Sequence, residues 1–246
     1  MHTETQVAVV TGAGSGIGRA AAIRIARNGN PVAVWDLDEA GARETAAQIA
    51  AAGGKAVACI GDASDAAAIA RSLEQTRAQL GTPLILVNNA AITRFESFFD
   101  VTEENWDRVV EVNLKGPFRC IKAMLPAMVE AGWGRIVNVS SSSTQTGGAY
   151  MHAYVASKGG LVGLTKSLAA EFAAKGITVN NVPPGYVDTP MARRHAVDWD
   201  KHAEASPMRR AGRPEELAAV IAFLTTEEAS YVTGQTYSVN GGRYFT

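Results

Sequence analysis

VAVVTGAGSGIGRA, residues 7–20, decides the fold. A β-branched apolar run stops at Thr11, glycines follow at 12, 14, 16 and 18, and a helical pattern begins at 17. A strand that turns at once into a helix, lets its backbone approach a phosphate and seats the helix tightly on the sheet needs positions without a Cβ. The helix start then offers free N–H groups and a partial positive charge to an anion. The spacing is GxxxGxG, carried by Gly12, Gly16 and Gly18. Its place between a strand and a helix gives it meaning as a pyrophosphate turn.

The same alternation continues along the chain. Short apolar runs fall at 6–11, 31–36, 56–61, 84–89, 135–140, 177–182 and 235–239. Helical patterns lie between them at 17–28, 38–52, 64–80, 102–131 (two helices), 153–175 and 213–226. Continuous apolar strands alternating with helices predict a parallel sheet buried on both faces. The expected fold is therefore α/β, a Rossmann-type doubly wound seven-stranded sheet in a single domain spanning 1–246. No repeat or linker divides it. Residues 189–212 carry no clear element and follow the sixth strand, where such sheets place ligands; they are the expected substrate lid.

The second strand ends at Asp36, eighteen residues after Gly18. An acidic side chain there accepts hydrogen bonds from an adenosine ribose and repels a 2′-phosphate, which favours NAD over NADP. Ser15 stands where a lysine or arginine would attract that phosphate. Asp62, after the third strand, reads either as an adenine contact or as a helix N-cap.

The net charge is −1, and 47% of residues are hydrophobic against 19% charged. Nothing there calls for nucleic acid or a membrane surface. Cys59 and Cys120 show no metal or redox spacing and read as reduced core thiols. No metal site is expected. The N-terminus has no secretory pattern and no apolar run reaches the roughly 20 residues that span a bilayer, so a cytoplasmic location is expected.

YMHAYVASKGG, residues 150–160, holds two tyrosines and a lysine. In a helix over 153–175, Tyr154 and Lys158 stand at i and i+4 on one face. An adjacent ammonium favours a phenolate, so Lys158 is expected to lower the Tyr154 pKa toward neutrality and ready it for proton exchange. Tyr150 lies before the helix and is a candidate for lining a substrate pocket. NVSSSS at the end of the fifth strand brings hydroxyls to the same sheet edge, and VNLKG adds Asn113.

Together these motifs resemble the classical short-chain dehydrogenase/reductase family over nearly the whole chain. TGAGSGIG, NNAA (88–91), VNLKG, IVNVSS, YVASK and PPGYVDTPM stand in the family's order and spacing. Ala91 and Pro183 depart from it, which bears on local geometry. The resemblance implies a catalytic tetrad of Asn113, Ser141, Tyr154 and Lys158. Ser141 lies thirteen residues before Tyr154, the family's usual interval, with Ser140 and Ser142 as alternatives in the run. It further implies cofactor contacts at Ser15, Ile17, Ala63, Asn89, Ala90, Pro184, Gly185, Val187 and Thr189, besides Tyr154 and Lys158. Asn113 is expected to position a water and the lysine.

The implied activity is NAD-dependent transfer of hydride to or from a small or medium secondary alcohol or ketone. A 3-oxoacyl thioester reductase is the alternative, disfavoured by Asp36. A non-enzymatic NAD(H)-sensing protein is a remote third reading, disfavoured by the presence of both Tyr154 and Lys158. Candidate substrate contacts are Ser141, Ser143, Tyr150, Met151, Tyr186 and Trp199, with Phe95 and Phe98 as further walls. Between 190 and 212, Arg193, Arg194, Lys201, Arg209 and Arg210 outnumber Asp198, Asp200 and Glu204 by two, which favours an anionic substrate. The helices over 117–131 and 153–175 are expected to pair subunits into a homotetramer, with Gly159, Gly160, Gly163 and Ala169 permitting close approach.

Overall fold

The computed structural model describes residues 5–195, 201, 204 and 206–245. Its strands are β1 (Val7–Thr11), β2 (Val32–Asp36), β3 (Ala56–Ile60), β4 (Pro83–Asn88), β5 (Gly134–Val139) and β6 (Ile177–Val182). They form one parallel sheet in the order β3-β2-β1-β4-β5-β6. The chain crosses from β3 on one side of β1 to β4 on the other. A crevice therefore opens between the carboxyl ends of β1 and β4, which is where the glycine turn lies.

The helices are α1 (Gly16–Arg27), α2 (Glu39–Ala51), α3 (Ala66–Leu80), α4 (Glu103–Val110), α5 (Gly116–Ala131), α6 (Ser143–Thr146), α7 (His152–Phe172), α8 (Pro190–His195) and α9 (Pro214–Leu224). Side chains alternate along each strand. Ala8 and Val10 face one core with Ala21, Ala22 and Ile25 of α1 and Leu217 and Ile221 of α9. Val9 faces the other, with Ile69 of α3, Met124 and Met128 of α5 and Ala169 of α7. Both sheet faces are thus covered, as the unbroken apolar strands require. Cys59 and Cys120 are buried free thiols.

The expected seventh strand is the one departure. Residues 235–239 run beside β6 but touch it through two isolated bridges, Asn181 to Thr236 and Pro184 to Val239. Asn181 N donates to Gln235 O and Tyr237 N donates to Asn181 O, each at 2.9 Å. The next rung needs an N–H from Pro183, which has none. Pairing resumes with Val239 N to Pro183 O at 3.3 Å and Gly185 N to Val239 O at 3.0 Å. One proline thus divides a ladder into two contacts. Ala91, the other departure, is carried without strain: among described non-glycine residues, positive φ occurs at Tyr150 and Arg209.

The long helical pattern over 102–131 is divided by a π-helical turn at Glu111–Lys115, which holds Asn113. No described helix is long and apolar enough to cross a membrane.

Candidate functional site

The glycine turn is fixed by contacts that leave no room for side chains. Gly12 and Gly16 have φ of +63° and +53°. A Cβ on Gly18 would lie 2.1 Å from Gly12 O, and one on Gly14 would lie 2.8 Å from an Asp36 oxygen. Asp36 closes the turn by accepting from Gly14 N at 2.7 Å and from Asp38 N at 2.9 Å. Arg19 holds the Gly14 carbonyl through Nε at 3.0 Å. Thr189 packs its methyl over Gly16, while its Oγ1 accepts from Ala192 N at 3.2 Å at the start of α8.

Thr11 was not a sequence candidate, yet it joins β1 to β4. Its hydroxyl accepts from Asn89 N and Ala90 N, each at 3.1 Å. The Asn89 amide in turn donates to Thr11 O and Gly12 O at 3.0 Å. Asn89 and Ala90 therefore stand beside the glycine turn, with the Asn89 side chain bracing the turn itself.

Asp62 is not the helix N-cap that was one reading of its position. Asp65 caps α3. The Asp62 carboxylate accepts from Ser64 N and Oγ at 2.8 and 2.6 Å and pairs with Arg108 at 2.8 Å. Burial pushes its pKa up, but these bonds outweigh it and hold the carboxyl below its ordinary range. Ala63 sits beside it with its carbonyl 2.9 Å from where a Gly116 Cβ would be, which explains that glycine.

Beyond β4, Asn113 is fully buried. It clamps Ile92, accepting from its N–H and donating to its carbonyl, each at 2.9 Å, and donates to Ser157 Oγ of α7 at 3.2 Å. Lys158 Nζ donates directly to Val139 O at 2.8 Å. A π turn exposes a carbonyl and swings a side chain out of the helical rows, and here it aims Asn113 at the loop after β4.

Tyr154 and Lys158 share a face of α7, with Nζ 5.8 Å from the centre of the tyrosine ring. Ser141 hydrogen-bonds the phenol, while Ser140 and Ser142 are buried to 2% and 3% exposure. The pKa expectation is overturned. Burial raises the Tyr154 pKa, with the Ser141 bond opposing it, and burial lowers that of Lys158 to about 7. Removal from water sets the direction at both groups, and the Ser141 bond opposes it at Tyr154 alone.

Tyr150 precedes α7 with φ +64° and is 60% exposed, and its carbonyl accepts from Glu96 N at 2.9 Å. That bond joins two loops that carry Phe95, Phe98 and Met151. Phe98 meets His152 edge-on at 5.1 Å. Gly185 is required where the C-terminal segment crosses, since its Cβ would lie 2.6 Å from Asn240 Cα. Pro184 O accepts from Ser142 N at 2.9 Å. Val187 is buried and bridges Gly212, which closes the base of the expected lid. Tyr186 lines a cavity of about 520 Å³ with Met208, Arg210, Ser238 and Asn240. Trp199, Asp198 and Asp200 lie outside the described residues. The expected positive lid is offset where it is described: Arg193 pairs with Asp188 at 2.5 Å and Arg210 with Glu216 at 2.7 Å.

The start of α1 fits a dinucleotide. Ser15, its N-cap, makes no side-chain cap, whereas α2, α3 and α4 are capped by Asp38, Asp65 and Thr102. The first N–H groups of α1 thus face the crevice, and the glycines let a phosphate approach them.

The sequence profile described as Enoyl-(Acyl carrier protein) reductase matches residues 12–243, a span that contains this whole site. The chain belongs to the classical short-chain dehydrogenase/reductase family, oxidoreductases that work with a nicotinamide cofactor. Among curated proteins it is similar to the (3R)-3-hydroxyacyl-CoA dehydrogenase of Canis lupus familiaris, 40% identical over 254 residues, 99% of this chain and 98% of that one. It is also 40% identical over 245 residues to the 3-oxoacyl-(acyl-carrier-protein) reductase FabG of Pseudomonas aeruginosa, 99% of each chain. Among solved structures it is similar to levodione reductase, with a TM-score of 0.92, 31% identity and 97% of each chain covered. A chain described as an NAD(P)-dependent gluconate 5-dehydrogenase from Beutenbergia cavernae, with NADP bound at low occupancy, gives a TM-score of 0.91 and 38% identity over 98% of this chain and 97% of that one.

Proposed function

We propose that this chain is an NAD(H)-dependent oxidoreductase that interconverts small or medium secondary alcohols and ketones. The observation that carries the reading is the meeting of Ser141, Tyr154 and Lys158 at the carboxyl edge, beside an uncapped helix start closed by Asp36. A bound nicotinamide supplies the hydride donor or acceptor. The chain's residues manage the proton. In reduction, Tyr154 gives its hydroxyl proton to the carbonyl oxygen, and in oxidation it takes the proton back. Ser141 donates to the same oxygen and holds it for reaction. Lys158, one helical turn on, supplies positive charge below the phenol in its protonated form, and Asn113 keeps the loop after β4 against α7.

Asp36 supports NAD over NADP. Its carboxylate stands where a 2′-phosphate would meet like charge at the edge of the turn. Phe95, Tyr150 and Met151 lie on two loops joined by the bond from Glu96 N to Tyr150 O, and their side chains favour a substrate with an apolar body. The second reading, a 3-oxoacyl thioester reductase, is favoured by the two 40% identical relatives. Assembly into a homotetramer through α5 and α7 belongs to the same proposal. The outward positions Gly159 and Gly163 have open space beside them, which favours a close partner; Gly160 and Ala169 are spent inside, against Leu114 and Gly234.

The test is oxidation of NADH and of NADPH against a panel of ketones and an acetoacetyl thioester. Preference for NADH with simple ketones supports the first reading. Preference for NADPH with the thioester replaces it with the second, and binding without turnover on any substrate leaves a sensor. Tyr154→Phe is expected to lower turnover at least about 100-fold while retaining NADH binding.

A further inference from the structure

Ser143 was expected to touch substrate, but its side chain is turned inward and it is 5% exposed. It reaches Ser141 twice. Its Oγ donates to Ser141 Oγ at 2.8 Å, and its backbone N–H donates to the same oxygen at 3.2 Å. A serine hydroxyl has two acceptor sites and one proton. With both acceptor sites of Ser141 filled from Ser143, the remaining valence of Ser141 is its own proton. That proton is left to donate, in keeping with the sense in which Ser141 acts on the Tyr154 phenol, lowering its pKa.

Resting on the proposed role of Tyr154, we propose that Ser143 is a positioning residue that makes Ser141 an obligate hydrogen-bond donor. The consequence is chemical. A free serine hydroxyl beside a tyrosine can accept the tyrosine's proton as readily as donate its own. If Ser141 accepted, the Tyr154 proton would be turned away from a substrate carbonyl and the phenolate would lose a donor. Ser143 removes that arrangement. The Tyr154 proton is left for the substrate in reduction, and in the free enzyme the phenolate keeps a donor until the substrate oxygen takes its place on Ser141. The Ser143 backbone is itself held: it opens α6, and the preceding Ser142 N–H donates to Pro184 O at 2.9 Å.

Charged groups on the neighbouring elements are engaged elsewhere. Glu111 in the π turn pairs with Lys115 at 3.1 Å and with Arg119. Arg108 of α4 pairs with Asp62, Asp188 after β6 pairs with Arg193, and Glu96 before α4 accepts from Asn105 Nδ2 at 2.5 Å. On α7 itself, His152 lies edge-on to Phe98 and Lys158 lies 5.8 Å from the phenol ring centre.

The experiment compares Ser143→Ala and Ser143→Thr with the unaltered chain in the oxidation direction across pH. In Ser143→Ala one acceptor site of Ser141 opens and its proton is no longer directed. Turnover is expected to fall about tenfold with KM nearly unchanged. The pH of half-maximal kcat/KM should rise by about one unit, because the phenolate has lost its donor. Ser143→Thr keeps a hydroxyl and should restore both. Loss of activity with no movement of the pH midpoint, or equal loss in the alanine and threonine variants, overturns the proposal. NADH affinity by fluorescence separates it from misfolding and should match the unaltered chain. A Tyr154→Phe variant that keeps full turnover sinks the underlying reading. An inactive Tyr154→Phe with an unshifted Ser143→Ala sinks this inference alone.

Discussion

Two buried cations sit at opposite ends of one strand. Arg135 lies near the start of β5 and Lys158 bonds the end of it, and each is 2% exposed. Arg135 is surrounded. It donates to Thr226 O at 3.2 Å, to Gly134 O at 3.0 Å and to Gly176 O at 3.3 Å, pairs with Glu227 at 3.2 Å and stacks 4.3 Å over Trp133. Lys158 donates to one carbonyl and faces a neutral ring. Burial lowers both pKa values, but Glu227 opposes the shift at Arg135, while nothing comparable restrains Lys158, which falls to about 7. Similar solvent exposure thus goes with a permanent charge at the amino edge and a titrating one at the carboxyl edge. The difference lies in the higher intrinsic pKa of a guanidinium, in the deeper burial of the ammonium and in the acceptors supplied to each.

The largest effect expected from breaking this contrast is at Lys158. Lys158→Met should reduce turnover by about 100-fold or more, since the proton-handling group loses its neighbour. Steady-state kinetics at saturating cofactor measure it. Turnover close to normal would make Lys158 as purely structural as Arg135.

Arg135→Met should do the opposite. Several carbonyls lose their donor, and the unfolding free energy in urea should drop by about 1–3 kcal/mol. Activity per folded molecule should be unchanged. A variant as stable as the parent would show that this ring of acceptors contributes nothing net.

The smallest effect is a pH dependence. The folded Lys158 pKa of about 7 lies below its ordinary 10.5. Between those values the unfolded chain binds a proton that the folded chain has released, so this group makes stability rise with pH across that window. Below about 7 its burial penalty is complete. Lys158→Met should therefore melt higher than the parent at pH 6, by roughly 5 °C, and the gap should close toward pH 10. A gap of constant size across pH would locate the gain in packing instead.

Much of this was legible before any coordinates. The glycine turn declares itself because three separate contacts forbid a Cβ, and the Tyr154–Lys158 pair declares itself through helical spacing. Buried parallel strands read as unbroken apolar runs. What stayed hidden depended on partners distant in sequence. Thr11 looks like any strand end until Asn89 and Ala90 donate to it. Arg135 looks like a surface residue in an apolar run until the backbone around Gly176 and Thr226 closes on it. Pro183 was visible as an oddity, but its effect requires knowing which N–H the neighbouring strand awaits. The acidified tyrosine was expected from charge proximity alone, and burial, which spacing does not reveal, reversed the direction.

The five residues Glu111–Lys115 have a consequence for how this chain tolerates change. A π turn takes about one more residue than an α turn, so the extra residue is absorbed locally and α4 and α5 keep their faces in register. Removing one residue there would heal the spiral into regular form and leave the stripe that α5 presents to the sheet, Cys120, Ile121, Met124 and Met128, close to its place. Asn113 would instead turn away from Ile92 and release the loop after β4. The bulge is thus spent on aiming one side chain, and the methionine-rich wall does not depend on it.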